Sequence, residues 1–388
     1  MTDTPLSILL VGDYPPDPTL GSSKVFYKLQ EEFQARGHDC DIVFGDEIKA
    51  PRLRQVGQVV SPWRAAAAIR RRLERKRYDV VDVASAEGLW IGALRKMGAH
   101  RRLVLIARSN GLEQLNYRRM LDDHRAGLVD KGWTRRIWYP VTRLSQVAAA
   151  ARLADRLLLL NEDDRRYALD RRWKPADRID VVPHGVSDRF LNGTPVEEER
   201  GRGLLFCGSW GHMKGIAYLV GAFEQLHARG RRMDLTVLGP GVDPAGVLAA
   251  FSPGVRRFVH VVPRAAEAQV IEAYRTHDVL LWLSTYEGFG LVLLEAMSQG
   301  LAVVTTPVGC VPSIVQDGEN GLLVPKRDSR ATVAAVERLM DAPALRRAVG
   351  DAARRAVARM SWGQTARMTL DVYTRARGAL EAGAVGGR

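Results

Sequence analysis

Two carboxylates flank a glycine-rich turn. Tyr286-Glu287-Gly288-Phe289-Gly290-Leu291 runs on to Glu295-Ala296-Met297 and closes at Gly300, with seven residues between Glu287 and Glu295. The apolar run before it reads as a strand ending near Thr285, and a helix is predicted to open near Gly290. Glycine lets the backbone approach a ligand closely, and the start of a helix offers unpaired N–H groups and the positive end of its dipole. That combination suits a phosphate or a dense set of hydroxyls, and carboxylates so placed accept hydrogen bonds from sugar hydroxyls. A carboxylate complementing the helix dipole accounts for one glutamate alone, but not for the whole string.

The elements that must position these groups alternate as strand, turn and helix. Strands are predicted at Ile8–Val11, Cys40–Phe44, Val80–Ala84, Leu103–Ala107, Leu157–Leu160 and Ile179–Val182. Helices are predicted at Ser22–Arg36, stopping at Gly37, at Arg64–Arg77 and at Glu87–Met97. Around Gly193–Gly203 the chain turns polar, charged and Gly/Pro-bearing, as a linker does. The alternation then resumes, with strands at Leu204–Cys207, Asp234–Leu238, Val259–Val262, Val279–Leu283, Ala302–Thr306 and Leu322–Val324, and a helix at Gly215–Arg229. The expected fold class is α/β: two Rossmann-like domains in tandem with a cleft between them, consistent with a length of 388 residues.

The Glu287…Glu295 string resembles the Glu-x7-Glu signature of retaining glycosyltransferases of family 4, which have the GT-B fold. The likeness extends through Val303–Val324, through Leu205–Gly208 and Lys214-Gly215, and through Val182-Pro183-His184-Gly185-Val186 and Ser361-Trp362. It is strong over 204–325 and weak over 1–200. The resemblance implies an N-terminal acceptor-binding domain, 1–195 plus a returning helix at about 362–388, and a C-terminal nucleotide-sugar domain, 196–361. It implies that Glu295 binds the nucleotide ribose and that Glu287 touches the donor sugar. The amides of Gly288, Phe289, Gly290 and Leu291 would lie against sugar and diphosphate, and Lys214 would neutralise the diphosphate. The chain departs from the family in three places. Ser209 stands where an arginine usually shares the diphosphate with the lysine; Arg264 or His212 is the candidate replacement. Asn110-Gly111 stands where relatives carry His-Gly, so Asn110 can hydrogen-bond but not titrate. Gly21-Ser22 replaces a glycine pair after the first strand, and Gly21 still permits close approach to phosphate or acceptor.

Other chemistry is weakly signalled. Asp39-Cys40-Asp41 has an Asp-x-Asp form used elsewhere for metal and nucleotide, but it sits where polar turn residues are common. The histidines and the three cysteines, Cys40, Cys207 and Cys310, lack metal-ligand or disulfide spacing. No Walker loop and no Gly-x-Gly-x-x-Gly follows the first strand, which argues against a dehydrogenase. No metal and no cofactor is expected, the nucleotide-sugar being a substrate.

The chain carries a net charge of +13, and residues 51–150, with 21 basic and 8 acidic groups, supply a surplus of that size by themselves. Residues 1–50 carry 4 basic against 9 acidic groups. Within the basic segment, Arg70, Arg71, Arg72, Arg75, Lys76 and Arg77 crowd the end of a helix, and Trp133, Arg135, Arg136, Trp138 and Tyr139 interleave rings with cations. Such a mixture suits a surface of anionic lipid; nucleic acid fits less well, because no recognition motif accompanies the charge. No apolar run reaches the length of a membrane span and the start lacks a signal peptide, so a cytoplasmic protein attached peripherally to the inner face of the membrane is expected. The function expected is a metal-independent, retaining transfer of a sugar to a lipid-linked or oligosaccharide acceptor in glycan or polysaccharide biosynthesis. The alternatives are a catalytically weak or inactive sugar-nucleotide-binding protein and a basic nucleic-acid-binding protein.

Overall fold

The computed structural model describes residues 4–18, 20–49, 54–130, 132, 134–192 and 201–385. The chain divides into two compact units, one built from 1–184 with 362–388 and the other from 185–361.

The first unit contains a six-stranded, all-parallel sheet. Its strands are β1 (Ser7–Val11), β2 (Asp39–Val43), β3 (Val80–Ala84), β4 (Val104–Arg108), β5 (Arg156–Leu159) and β6 (Ile179–Val181), in the order β2-β1-β3-β4-β5-β6. The strands are short and mostly apolar, because helices cover both faces of a parallel sheet, with polar residues such as Asp82 and Arg108 among them. Leu9, Val11, Val81, Val83, Leu105, Leu157 and Leu159 are buried in one cluster with Ala65, Ile69 and Ile91 from the covering helices. The final helix, Trp362–Val385, also packs on this unit: the Phe33 and Tyr373 rings are 5.9 Å apart, and the Tyr373 hydroxyl reaches Asp82.

The second unit repeats the plan with β7 (Leu204–Cys207), β8 (Leu235–Leu238), β9 (Val259–Val262), β10 (Val279–Trp282), β11 (Ala302–Thr305) and β12 (Leu322–Leu323). The order is β12-β11-β10-β7-β8-β9, again all parallel. Its core gathers Leu204, Phe206, Val237, Leu281 and Val304 with Leu219, Phe223, Val333 and Val336 from the helices.

Three expectations need amending. The division falls at His184/Gly185, earlier than 195, because the turn Asp188–Leu191 packs into the second unit: Phe190 lies 6.2 Å from the Tyr274 ring and its carbonyl accepts from Gln299. Most of the expected linker, 193–200, lies outside the described residues. The basic helix runs Arg54–Arg75 with Pro62 inside it, longer than expected, and the helix predicted from Glu87 starts as a tight turn, Ser85–Gly88, before Leu89–Lys96. The aromatic stretch folds as two wide, π-type turns, Thr134–Trp138 and Pro140–Leu144, while Trp133 lies outside the described residues.

Candidate active site

In the second unit the chain runs outward from β7 through β8 to β9 on one side, and from β10 through β11 to β12 on the other. The neighbours β7 and β10 therefore mark a topological switch point, and ligands of open α/β sheets bind beyond the carboxyl ends of such strands. The loops leaving these two strands carry Lys214 and Glu287. Lys214 closes the turn His212–Lys214, and its Nζ lies 2.5 Å from Glu287 Oε1. The Ser284 hydroxyl donates to the same oxygen at 2.7 Å. The side chains of Lys214 and Glu287 are only 18% and 10% exposed, so water screens the pair little.

Two glycines hold this geometry. Gly215 has φ +73°, and a Cβ there would sit 2.0 Å from the Leu283 carbonyl oxygen, so only glycine lets the Lys214 loop dock on the end of β10. The Thr285 N–H to Met213 carbonyl bond, 2.8 Å, ties the same two loops. Gly290 has φ +115°, and a Cβ there would meet the Trp282 ring at 2.6 Å. It caps the helix Leu291–Ser298, whose first turn points amides without an intrahelical partner toward the loop. Glu295 is buried on that helix, close enough to Tyr274 that, after burial and Cys207, its charge helps raise the phenol well above its ordinary value. Burial, then the charge of Glu287, pushes the Cys310 thiol up.

The other expected donor residues are placed unequally. Gly288 and Leu291 flank the turn, half-buried; Phe289 is buried and its carbonyl accepts the Cys310 N–H at 2.9 Å, a packing role. Ser209 is exposed and its carbonyl accepts from Gly211, while its neighbour Trp210 packs against Phe206 and Phe251. His212 shares the turn with Lys214. Arg264 is exposed beyond β9, two strands from β7, which is about 10 Å across the sheet.

The first unit has its own switch point, between β1 and β3. Asn110, beyond β4, donates to the Tyr14 hydroxyl at 3.4 Å, and its buried Oδ1 has no hydrogen-bond partner among the described residues. Gly21 opens the helix Gly21–Ala35 in open space, and the buried hydroxyl there belongs to Ser23, which donates to the Pro15 carbonyl at 2.6 Å, rather than to Ser22. A polar network that sequence inspection missed spans these loops. Arg143 bridges Glu87 at 2.8 Å and Glu113 at 3.0 Å. The Ser61 hydroxyl lies 2.7 Å from Asp13 and 3.0 Å from Glu87. Against the cost of burial, the Arg143 guanidinium holds the Glu113 carboxyl below its ordinary value. The signal for Glu87 was its place three residues past the end of a buried strand; nothing in the spacing pointed to Arg143.

The Asp39–Asp41 pair is occupied within the protein: Lys76 Nζ lies 2.6 Å from a carboxylate oxygen of each, and the Tyr78 hydroxyl donates to Asp41 at 2.7 Å. Arg72 is likewise held by Glu47 at 2.7 Å. Two cations of the basic helix thus neutralise acids of the preceding fifty residues, which the charge count treated as separate. Among the described residues, no helix is long and apolar enough to cross a membrane.

Two doubly wound sheets, each gathering polar groups beyond the carboxyl ends of its switch-point strands, define a protein of the GT-B class. The family described as "Glycosyltransferase Family 4" matches residues 20–190, and that described as "Glycosyl transferases group 1" matches 201–342. Both halves of the chain thus match families of glycosyltransferases. A D-inositol 3-phosphate glycosyltransferase of Kineococcus radiotolerans is 33% identical over 270 residues, 61% of each chain. The chain thus spans about three fifths of that relative's length. Among solved structures, sucrose-phosphate synthase from Thermosynechococcus elongatus superposes with TM-score 0.78 at 21% identity, over 96% of this chain and 100% of that one. HepE of Anabaena, in complex with UDP and glucose, gives 0.68 at 15%, over 95% and 99%.

Proposed function

We propose that the protein is a retaining glycosyltransferase that moves a sugar from a nucleotide-sugar donor to a lipid-linked or oligosaccharide acceptor. The observation that carries this is the Lys214–Glu287 pair, held beyond the switch-point strands β7 and β10 and beside the start of the helix Leu291–Ser298. A cation and a helix start on one side of a buried carboxylate suit a ligand with an anionic end and a hydroxyl-rich end. Lys214 and the first-turn amides take up charge on the departing diphosphate, a task that elsewhere falls to a metal. The bond from the anomeric carbon to the diphosphate oxygen breaks, and the bond to the acceptor oxygen forms on the same face. The acceptor proton passes to the departing phosphate oxygen. Glu287 orients the sugar, Glu295 accepts from the ribose hydroxyls and Asn110 orients the acceptor by hydrogen bonding. HepE, bound to UDP and glucose, supports a nucleoside diphosphate donor.

The basic surplus of residues 51–150 supports peripheral attachment at the inner face of an anionic membrane, where a lipid-linked acceptor of glycan biosynthesis resides. The test is a melting screen with UDP, ADP and GDP, followed by release of diphosphate from matched donors. A binder at ~100 times its dissociation constant adds ~2.7 kcal/mol of stability. D-inositol 3-phosphate, the acceptor in the name of the relative, is assayed beside a lipid extract. No stabilisation by any nucleoside diphosphate overturns the proposal.

A further inference from the structure

The segment 134–144 has two faces. On one, Tyr139 and Leu144 are buried, the Tyr139 hydroxyl donates to Glu113, and Arg143 lies between Glu87 and Glu113. On the other, Ile137, Trp138 and Val141 are 62%, 50% and 67% exposed. A single exposed apolar side chain needs no explanation; three at i, i+1 and i+4 of one helical stretch form a contiguous patch. The Tyr117 hydroxyl, from outside the stretch, donates to the Arg136 carbonyl, and within it the Thr142 hydroxyl donates to the Trp138 carbonyl. The patch is therefore presented on a supported backbone. The helix Arg54–Arg75, which packs against Pro140–Leu144, exposes a ring of its own, Trp63, 61% exposed.

The charged residues of the stretch itself, Arg135, Arg136 and Arg143, are all basic. Arg136 is exposed beside the patch, and Arg135 lies 3.8 Å over the Tyr139 ring. Arg72 and Lys76 are engaged with Glu47, Asp39 and Asp41, so the end of the basic helix presents less free charge than its sequence suggests. Beside the patch Arg136 is exposed and Arg135 half-buried, and of the basic cluster Arg70, Arg71, Arg75 and Arg77 are exposed.

We propose that Ile137, Trp138 and Val141 insert at the headgroup level of an anionic lipid bilayer, and that Arg135 and Arg136 contact its lipid phosphates. Tryptophan and short aliphatic side chains flanked by arginine are the composition that settles at this depth. The opposite face of the same stretch supplies Tyr139 and Arg143 to the network beyond β3. A membrane-bound acceptor lying against the patch thus has its headgroup within one helical stretch of Glu87 and Glu113. The inference deepens the proposed function, since it rests on an acceptor drawn from a membrane.

The test is sedimentation of the full chain with phosphatidylcholine vesicles and with mixed phosphatidylcholine–phosphatidylglycerol vesicles at low salt. The wild type is expected to bind the mixed vesicles and to be released only partly by high salt, because the apolar contacts are not screened. The triple variant I137S/V141S/W138S is expected to lose about tenfold in vesicle affinity and the salt-resistant fraction with it. Its melting temperature and its stabilisation by a nucleoside diphosphate should match the wild type, which separates loss of the surface from loss of the fold. Wild-type binding no greater to mixed than to neutral vesicles overturns the proposal. So does a triple variant that binds as the wild type does, or one whose lost affinity is for an oligonucleotide and not for lipid. If vesicle binding behaves as expected while no nucleoside diphosphate stabilises the protein, the membrane surface stands and the donor-site proposal fails.

Discussion

At the scale of the residue, Lys214 and Glu287 act on each other, and in the proposed site also on a ligand. Their 2.5 Å pairing means that Lys214→Ala removes the proposed diphosphate contact and also leaves Glu287 with Ser284 as its remaining partner of the two. A charge-assisted contact is worth ~1.5–3 kcal/mol, so Lys214→Ala should weaken diphosphate binding by at least that much. Glu287→Ala should lower turnover more than diphosphate affinity, and the double variant should lose less than the sum of the singles, because the two are bonded to each other. Calorimetry on the three proteins checks this; additive losses would mean that the pair is incidental. Glu295→Ala should weaken nucleoside diphosphate binding through the ribose, and unchanged affinity would remove that assignment. The candidates for the missing second cation are separable in the same assay. His212 shares the turn with Lys214, whereas Arg264 lies two strands away at the sheet edge. His212→Ala is therefore expected to cost more diphosphate affinity than Arg264→Ala, and the reverse order would require the β9 loop to reach the diphosphate.

At the scale of the element, the helix Glu162–Asp170 carries a titration of its own. Asn161 caps it by accepting the Asp164 N–H at 2.8 Å, and the Asp164 side chain is buried with Oδ2 unpartnered among the described residues. Burial pushes the Asp164 carboxyl up to about 7. The folded state therefore holds a proton that the unfolded chain gives up from about pH 4, and stability contributed by this group falls as pH rises through the window from about 4 to 7. Asp164→Asn, which is neutral throughout, should match the wild type near pH 4 and exceed it at pH 8 by of order 2–4 kcal/mol. Melting curves at the two pH values decide it; equal stability at pH 8 would show the carboxylate solvated. The elements themselves were largely legible in the sequence. Buried parallel strands announce themselves as short, mostly apolar runs, and those at Val80–Ala84, Leu204–Cys207 and Val259–Val262 fall where the pattern put them, despite Asp82 and His260 within two of them. The glycine-rich turn after β10 and the helix that follows it were legible too, because Glu287, Gly290 and Glu295 lie within one short string. The network around Arg143 was not, since its members come from separated loops and only the fold brings them together. Nor was the pairing of Arg72 and Lys76 with Glu47, Asp39 and Asp41, which a count along the chain cannot see.

At the scale of the molecule, the first unit is discontinuous in sequence, and its last helix closes it. Asp82 on β3 and Arg108 on β4 form a buried pair at 2.6 Å, with the Tyr373 hydroxyl, from that helix, as a further donor to Asp82. A buried carboxylate needs such donors, because attraction within the pair offsets the loss of hydration only when the remaining oxygen sites are also satisfied. Burial, then the charge of Asp82, drives the Tyr373 phenol well above its ordinary value, so it stays protonated and donating across the accessible pH range. At the chain crossing the His184 and Trp362 rings are 5.4 Å apart, and Thr365 donates to the Pro183 carbonyl at 2.9 Å. The second unit has a separate core, centred on Leu204, Phe206, Leu281 and Val304. A lesion in the Asp82–Arg108–Tyr373 group should therefore stay within the first unit. Tyr373→Phe is expected to cost the first unit ~1.5–3 kcal/mol, the worth of a hydrogen bond to a charged group. By hydrogen exchange, the amides of β1, β3 and β4 should lose protection in the variant, while those of β7, β10 and β11 keep theirs. Nucleoside diphosphate should go on protecting the second unit to the same extent. Equal loss of protection in both units would show that they unfold as one, and the two cores would then have to be treated as a single cooperative structure.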